Sequence, residues 1–421
     1  MDGFVTVVDL ASQIKIGVGR ALGFVAHQQR PFKVNLVRAS IQNFFIYLTM
    51  QYQSIYILAL GASPLQLGFI NGIGGLAAAG IATPTGWLTS RYGIRQMFIV
   101  GAPLMALGAL LFATAPDWIW LIPATFVASL ALRWMITACS MVCGGYLKSQ
   151  ERATGMQLCD TISAVPRLAS PLLAAVMITQ FGGLNANGIR PLYYLQIAGM
   201  AAILILVLFR FEDPLRNSRA RSEGFLEGIR LVFQKGTKVK SWILYIFMST
   251  TSMFMSSTYI SVYAAQVKAA DQFVIGGMAT ASVVLPLILS LATGRLADTV
   301  GRRKVISIMV PLNALSFVVL LLAQNPLWIL ASGMLQGFSM LVFITENAVS
   351  AELVPFQIMG SWFGLLGLFR GLASVAGPLV GGVIWSALGP NLVMISLVAI
   401  EASKIAILLT IPETLNKQID I

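Results

Sequence analysis

The chain has 421 residues, of which 57% are apolar and only 10% charged, and its formal net charge is +12. A water-soluble chain carries about 25% charged residues, so this one has too little polar surface to be a soluble enzyme or carrier. The basic excess does not mark a nucleic-acid binder, because it collects in alternate loops between apolar runs, as the positive-inside rule describes.

In chain order, residues 1–35 lack the basic start of a signal peptide, since Asp2 and Asp9 interrupt it and no small-residue cleavage site follows. Val7, Val8, Ala11 and Ile14, with Lys15 and Arg20 after them, read either as a short helix on the membrane surface or as a cytoplasmic tail. His27 precedes the first apolar run and reads as a surface residue. Twelve apolar runs follow, near 36–60, 64–88, 95–115, 118–146, 154–180, 190–211, 241–266, 273–296, 304–323, 326–351, 360–387 and 391–411. Each is long enough for a hydrocarbon core of about 30 Å. The polar, basic segment 212–240 splits them six and six, and its Phe225, Leu226, Ile229 and Phe233 suit an amphipathic helix. The expected layout is an N-terminal segment 1–35, a six-helix bundle 36–211, a linker 212–240, a second bundle 241–415 and a tail 416–421.

Loops on the side of residue 1 hold Arg91, Arg95, Lys148 and Arg152, the basic linker, then Arg295, Arg302, Arg303 and Lys304; the other side holds Arg190 and Lys268. This asymmetry puts both termini in the cytoplasm. The expected electrostatic partner is the anionic inner leaflet.

The two sets of six runs repeat each other. Tyr52, Ser54 and Tyr56 match Tyr259, Ser261 and Tyr263 at an offset of 207, and Pro171-Leu172 matches Pro378-Leu379 at the same offset. Pro103-Leu104 matches Pro311-Leu312 at 208, Pro116 and Trp118 match Pro326 and Trp328 at 210, and FEDPLRN at 211–217 resembles IPETLNK at 411–417 at 200. Parallel repeats of this kind build transporters with a central midplane site.

Residues 294–304 read GRLADTVGRRK, and 86–95 read GWLTSRYGIR, so Gly86, Gly93 and Arg95 match Gly294, Gly301 and Arg303. The later stretch resembles the loop signature of the major facilitator superfamily, between helices 2 and 3 and between helices 8 and 9. The earlier copy departs from it, with Ser90 where the aspartate stands. The resemblance spans about residues 36–415. It implies an all-α membrane protein with twelve transmembrane helices in two pseudo-symmetric six-helix bundles, lining a cavity with helices 1, 4, 7 and 10. It also implies a cytoplasmic gate at Gly86, Ser90, Arg91, Gly93, Arg95, Gly294, Asp298, Gly301, Arg302 and Arg303. Asp298 is expected to face the start of the fifth helix, with Arg152 near enough to pair; neutralising Arg295, Arg302 or Arg303 within its own loop is the alternative.

Other chemistry is scarce. No stretch supplies a P-loop, an H-E-x-x-H zinc pair or a G-x-S-x-G elbow, so no enzyme activity, metal or cofactor is expected. Cys139, Cys143 and Cys159 fall within the runs and read as buried thiols. The glycines of 68–80 and 371–382, at three- and four-residue spacing, read as helix contacts. Charged groups inside spans are costly unless paired or facing water. Arg133 on the fourth span is assigned to substrate recognition. Asp160 and Arg167 share a face of the fifth span. Glu346 and Arg370, on the tenth and eleventh, are either a structural pair or a coupling site. Glu401 and Lys404, three apart, read as a local pair. Glu346 and Asp160 are the candidate proton carriers, because a carboxyl away from bulk water can exchange a proton near neutral pH.

Polar faces complete the expected cavity: Asn43, Tyr47 and Gln51 on the first span, Ser249, Ser256 and Tyr259 on the seventh, Gln336 on the tenth. The sequence therefore reads as a monomeric secondary transporter in the cytoplasmic membrane, moving a small polar or anionic, drug-like solute by alternating access with proton coupling. The alternatives are a lipid or amphiphile exporter and a membrane receptor or scaffold that keeps the fold without flux.

Overall fold

The computed structural model describes residues 23–147, 152–211, 231–234, 238–354, 358–411 and 413; within these, the side chains of 82–91, 140, 143–145, 152–154, 157, 291 and 360 lie outside the description. The first half runs α1 (Arg30–Met50), α2 (Gln53–Ala59), α3 (Pro64–Tyr92), α4 (Ile94–Thr114), α5 (Leu121–Tyr146), α6 (Arg152–Gln180) and α7 (Ala186–Arg210). The second runs α8 (Val239–Gln266), α9 (Gln272–Val300), α10 (Arg302–Leu322), α11 (Pro326–Glu352), α12 (Met359–Leu388) and α13 (Pro390–Leu409). Together α1 and α2 make the first span, so α3 is the second and α13 the twelfth.

Ten of these helices are long and apolar enough to cross a membrane, and large apolar side chains such as Phe209, Leu327 and Ile288 face outward. The chain is a multi-pass membrane protein. Neither α1 nor α8 is among the ten. Both are diluted by polar residues: Lys33, Asn35, Arg38, Gln42 and Asn43 on α1, and a run of serines and threonines on α8. These two helices are repeat partners.

The first span departs from the expected single run at 36–60. It starts earlier, at Arg30, with Pro31 in the first turn, where a missing N–H costs nothing. It then breaks at Gln51–Tyr52 before α2. The linker region gives α8 at Val239, and residues 231–234 are helical with Val232 buried. Phe233 is exposed, while Phe225, Leu226 and Ile229 lie outside the described residues.

Among the described helix starts, side-chain caps mark one end of the molecule, while glycines of positive φ turn the chain at both, Gly389 (φ 95°) at the capped end included. At one end, Asn185, Asp271 and Asn325 cap α7, α9 and α11 by accepting backbone N–H bonds. At the other end, the signature loops turn on glycine. Gly93 (φ 86°) separates α3 from α4, and Gly301 (φ 117°) separates α9 from α10.

The core shows how the halves meet. Near the Asx-capped end a single buried cluster takes Tyr52, Tyr56, Leu67 and Ile178 from one half and Tyr259, Tyr263, Ile275 and Met278 from the other. Toward the signature loops the clusters separate. Phe98, Met135, Val142 and Ile203 belong to the first half, and Trp242, Ile306, Val349 and Trp362 to the second. A Cβ built on Gly80, Gly294 or Gly367 would meet nothing within 4 Å. The halves are closed at the Asx-capped end and parted at the signature-loop end.

Candidate functional site

The closed end is built twice, by the repeat. Tyr52 Oη lies 3.0 Å from the Pro171 carbonyl on α6 of its own half and 2.8 Å from the Gln272 carbonyl on α9 of the other. Tyr259 Oη lies 2.9 Å from the Pro378 carbonyl on α12 and 3.0 Å from the Pro64 carbonyl on α3 of the other half. Each phenol has one proton to donate, so it is shared between the halves. Glycine makes the approach possible, since a Cβ on Gly276 would sit 2.7 Å from Tyr52 Oη and one on Gly68 would sit 2.7 Å from Tyr259 Oη. The glycine run 68–80 and its partner 371–382 therefore serve helix contact, with Gly72 and Gly75 against Val375 and Ser374. Tyr259, expected in the cavity, is fully buried in this contact. Gln51, expected there too, donates to Ser261 Oγ across the halves at 2.7 Å.

Between the halves the sequence-assigned residues divide. Asn43 donates to the Ser163 carbonyl at 2.9 Å and so ties α1 to α6. Gln336 donates to Ser332 Oγ at 3.1 Å on its own helix. Arg167 donates to Tyr47 Oη at 3.3 Å and its guanidinium lies 4.7 Å from the centre of the Tyr47 ring. Arg133 is exposed, and it lies within electrostatic range of Arg370, which belongs to the other half. It therefore points into the space between them. Arg370 donates to Asn347 Oδ1 at 2.9 Å and stacks 5.2 Å from the centre of the Phe343 ring. Asp160 is exposed on α6 and lies within range of Arg167.

Glu346 and Arg370 are near neighbours rather than a closed ion pair. Arg370 Nη2 donates to Asn347 Oδ1, and Glu346 Oε1 accepts from Ser249 Oγ at 2.7 Å. Glu346, 2% exposed, lines a small cavity of about 30 Å³ with Ser249, Ser252 and Ser256 of α8, Asn313 of α10 and Glu401 and Lys404 of α13. Glu401 and Lys404 pair at 2.9 Å, as their spacing suggested, but they do so inside this cavity.

One buried charge was not foreseen. Arg38 on α1 is 1% exposed and donates to Asn35 Oδ1 at 3.0 Å and to Gln42 Oε1, with its guanidinium 4.4 Å from the centre of the Phe98 ring. It lies at the edge of the apolar run that begins near residue 36, whereas the helix begins at Arg30. The repeat offset of 207, which places Arg38 opposite Tyr245, was the signal available.

At the signature loops, Arg95 donates to the Leu208 carbonyl at 2.9 Å and Arg303 to the Leu409 carbonyl at 3.1 Å, tying each loop to the last helix of its half. Glu413, from the repeated IPETLNK stretch, accepts from the Arg303 backbone N–H at 3.2 Å, where a helix start favours negative charge. Asp298 pairs with Arg302 at 3.3 Å within its own loop and is 67% exposed, and Arg302 also pairs with Glu352. Gly86 lies within α3, and the side chains of Ser90, Arg91 and Arg152 lie outside the description. Cys139, expected to be buried, is half-buried with its Sγ 3.4 Å from Asn35 Nδ2; Cys159 is buried, and the side chain of Cys143 lies outside the description.

The family model described as Major Facilitator Superfamily matches residues 39–271 and 242–419, once per half. The chain belongs to the major facilitator superfamily. Curated relatives include the multi-drug resistance efflux pump PmrA homolog of Lactococcus lactis, 24% identical over 84% of this chain and 88% of that protein. The multidrug resistance protein MdtG of Yersinia enterocolitica is 25% identical over 81% of this chain and 83% of its own length. Among solved structures, the nucleoside transporter NupG superposes with a TM-score of 0.74 at 12% identity, covering 91% of this chain and 99% of that one. A POT family transporter in complex with 5-aminolevulinic acid gives 0.70 at 14% identity, covering 90% and 96%. At such identities the two structures speak for the fold alone. The chain is a transporter of this superfamily.

Proposed function

We propose that this superfamily member is a secondary active transporter of the cytoplasmic membrane, with both termini inside, that moves a small polar or anionic, drug-like organic solute by alternating access. The observation that carries the reading is the charge of the space between the halves. Arg133 and Arg370 lie within electrostatic range of each other across it, and among the described residues neither has a carboxylate at ion-pair distance. An arginine held in a membrane protein without an acid partner suits an anionic or strongly polar ligand. Glu346 is the first candidate for proton coupling and Asp160 the second. With the basic loops inside, the state described above is open to the cytoplasm.

A second reading is favoured by the Met253, Val342 and Phe343 wall beside Glu346 and by the multidrug relatives. In it the solute is an amphiphile moved outward. A thermal-shift screen of the purified protein against organic anions, nucleosides and cationic drugs separates the two, because a ligand of the folded state raises its stability. Flux into proteoliposomes of whatever stabilises the protein then follows. Binding of organic anions with flux supports the first reading, and flux confined to lipid-partitioning solutes supports the second. Binding without flux would contradict both and leave a receptor or scaffold.

A further inference from the structure

The cavity in the second half holds more charge than a single coupling residue needs. Ser249 and Ser252 sit on one face of α8, and each donates to a different buried carboxylate: Ser249 to Glu346 at 2.7 Å and Ser252 to Glu401 Oε1 at 2.7 Å. Glu401 Oε2 in turn accepts from Lys404 Nζ at 2.9 Å. Tyr245, one turn earlier on α8 and stacked on Trp242, lies within electrostatic range of both acids, and Lys404 Nζ lies 5.7 Å from the centre of its ring. Glu346, Glu401 and Lys404 are 2%, 1% and 3% exposed and all line the same cavity.

Stability alone gives no reason for such a cluster. Buried ion pairs contribute little net stability, and apolar residues of similar volume commonly replace them without loss. The matching place in the first half supports this. At the offset of 207, Arg38 stands where α8 has Tyr245, and Gln42 where it has Ser249. That half holds a guanidinium, satisfied by Asn35 and Gln42, and arginine stays charged at any accessible pH. The first-half cluster is a fixed charge. The second-half cluster is the one able to exchange a proton.

Its charges set how many. Two carboxylates and one ammonium leave one negative charge in a cavity walled by Met253, Val342 and Phe343. Arg370 is within range of Glu346 but bonded to Asn347, and Arg133 stands beyond it in the other half. We propose that Glu346, Glu401 and Lys404 form one coupling centre, in which Lys404 holds Glu401 as a permanent carboxylate so that the centre exchanges a single proton, on Glu346. Asn313 and Ser339 line the remaining wall and offer no further charge. The centre rests on the transport reading above, and its protonation is testable without flux.

The test is labelling with dicyclohexylcarbodiimide in lipid nanodiscs, read by peptide mass spectrometry. The reagent adds to a protonated carboxyl: the acid proton goes to one carbodiimide nitrogen, the carboxyl oxygen bonds the central carbon, and the adduct rearranges to a stable N-acylurea. The expected result is labelling of Glu346 that falls as pH rises, with Glu401 labelled at least tenfold less. Lys404→Gln raises Glu401 labelling at least tenfold, whereas Lys404→Arg, which keeps the charge, leaves it low. Glu401→Gln combined with Lys404→Gln leaves Glu346 labelled as in the wild type. Glu401 labelled as strongly as Glu346 in the wild type, which needs no variant to fold, would overturn the proposal. So would unchanged Glu401 labelling in a folded Lys404→Gln protein. Solute accumulation indifferent to a proton gradient, with the labelling pattern as expected, would sink the transport reading and leave the single-proton centre standing.

Discussion

On the proposed reading, arginines set what the central space accepts. Arg133 reaches across toward Arg370, and neither is neutralised at ion-pair distance among the described residues. A charge-assisted hydrogen bond contributes about 1.5–3 kcal/mol, so Arg133→Gln should weaken binding of an anionic solute at least about tenfold. Thermal unfolding should stay near wild type, because Arg133 is exposed and anchors no neighbour. A dissociation constant from ligand-dependent thermal shift checks it, and unchanged affinity for every stabilising anion would remove Arg133 from the site. Gly301 is a second residue with a sharp expectation. Its φ of 117° is unfavourable for L side chains, and a Cβ there would sit 2.5 Å from the Glu413 carboxylate. Gly301→Ala should cost about 1–3 kcal/mol and lower the unfolding temperature, while Gly294→Ala, in open space, should not. Equal unfolding temperatures for the two variants would show that the turn tolerates a side chain.

Paired elements close one end of the protein. Tyr52 on the first span and Tyr259 on α8 each share one proton between a carbonyl of their own half and one of the other. Each hydrogen bond contributes about 0.5–1.5 kcal/mol. Tyr52→Phe with Tyr259→Phe should therefore shift the population toward opening at that end by about fivefold to a hundredfold. Spin-label distances between Ser63→Cys and Leu388→Cys, with native cysteines replaced, report it. An unchanged distance distribution would mean that apolar contacts alone hold that end shut. Element by element, much of this was legible. The tyrosines, prolines and glycines that build the contact were visible as a repeat at 207–208, and the glycine stretches read correctly as packing. What the tyrosines bind was not legible, since their partners are main-chain carbonyls with no residue signature. The break at Gln51–Tyr52 escaped because neither proline nor glycine marks it. Arg38 and the shared cavity of Glu346, Glu401 and Lys404 escaped because spacing along one helix cannot reveal which buried face a third helix completes.

At the scale of the molecule, the proposed alternating access requires the two ends to close in turn. The end near Tyr52 and Tyr259 is closed here, and Asp298, at the parted end, is exposed and paired with Arg302 in its own loop. We propose that, when the signature-loop end closes, Asp298 turns to the start of α6 and latches it near Arg152. Asp298→Asn should then favour the state described here, and Ser90→Asp should oppose it. Distances across the signature-loop end check both, and no change in either would place that gate elsewhere. The superfamily signature suggested such a gate in the sequence; the structure shows the alternative given there, Asp298 paired with Arg302 within its own loop. The central claim is that the whole molecule is a proton-coupled transporter working through Glu346. It is tested most directly by solute accumulation in proteoliposomes under an imposed pH gradient, wild type against Glu346→Gln. The account predicts that the wild type accumulates a stabilising solute against its gradient, while Glu346→Gln still exchanges it but no longer accumulates it. Accumulation by Glu346→Gln at the wild-type level would contradict it.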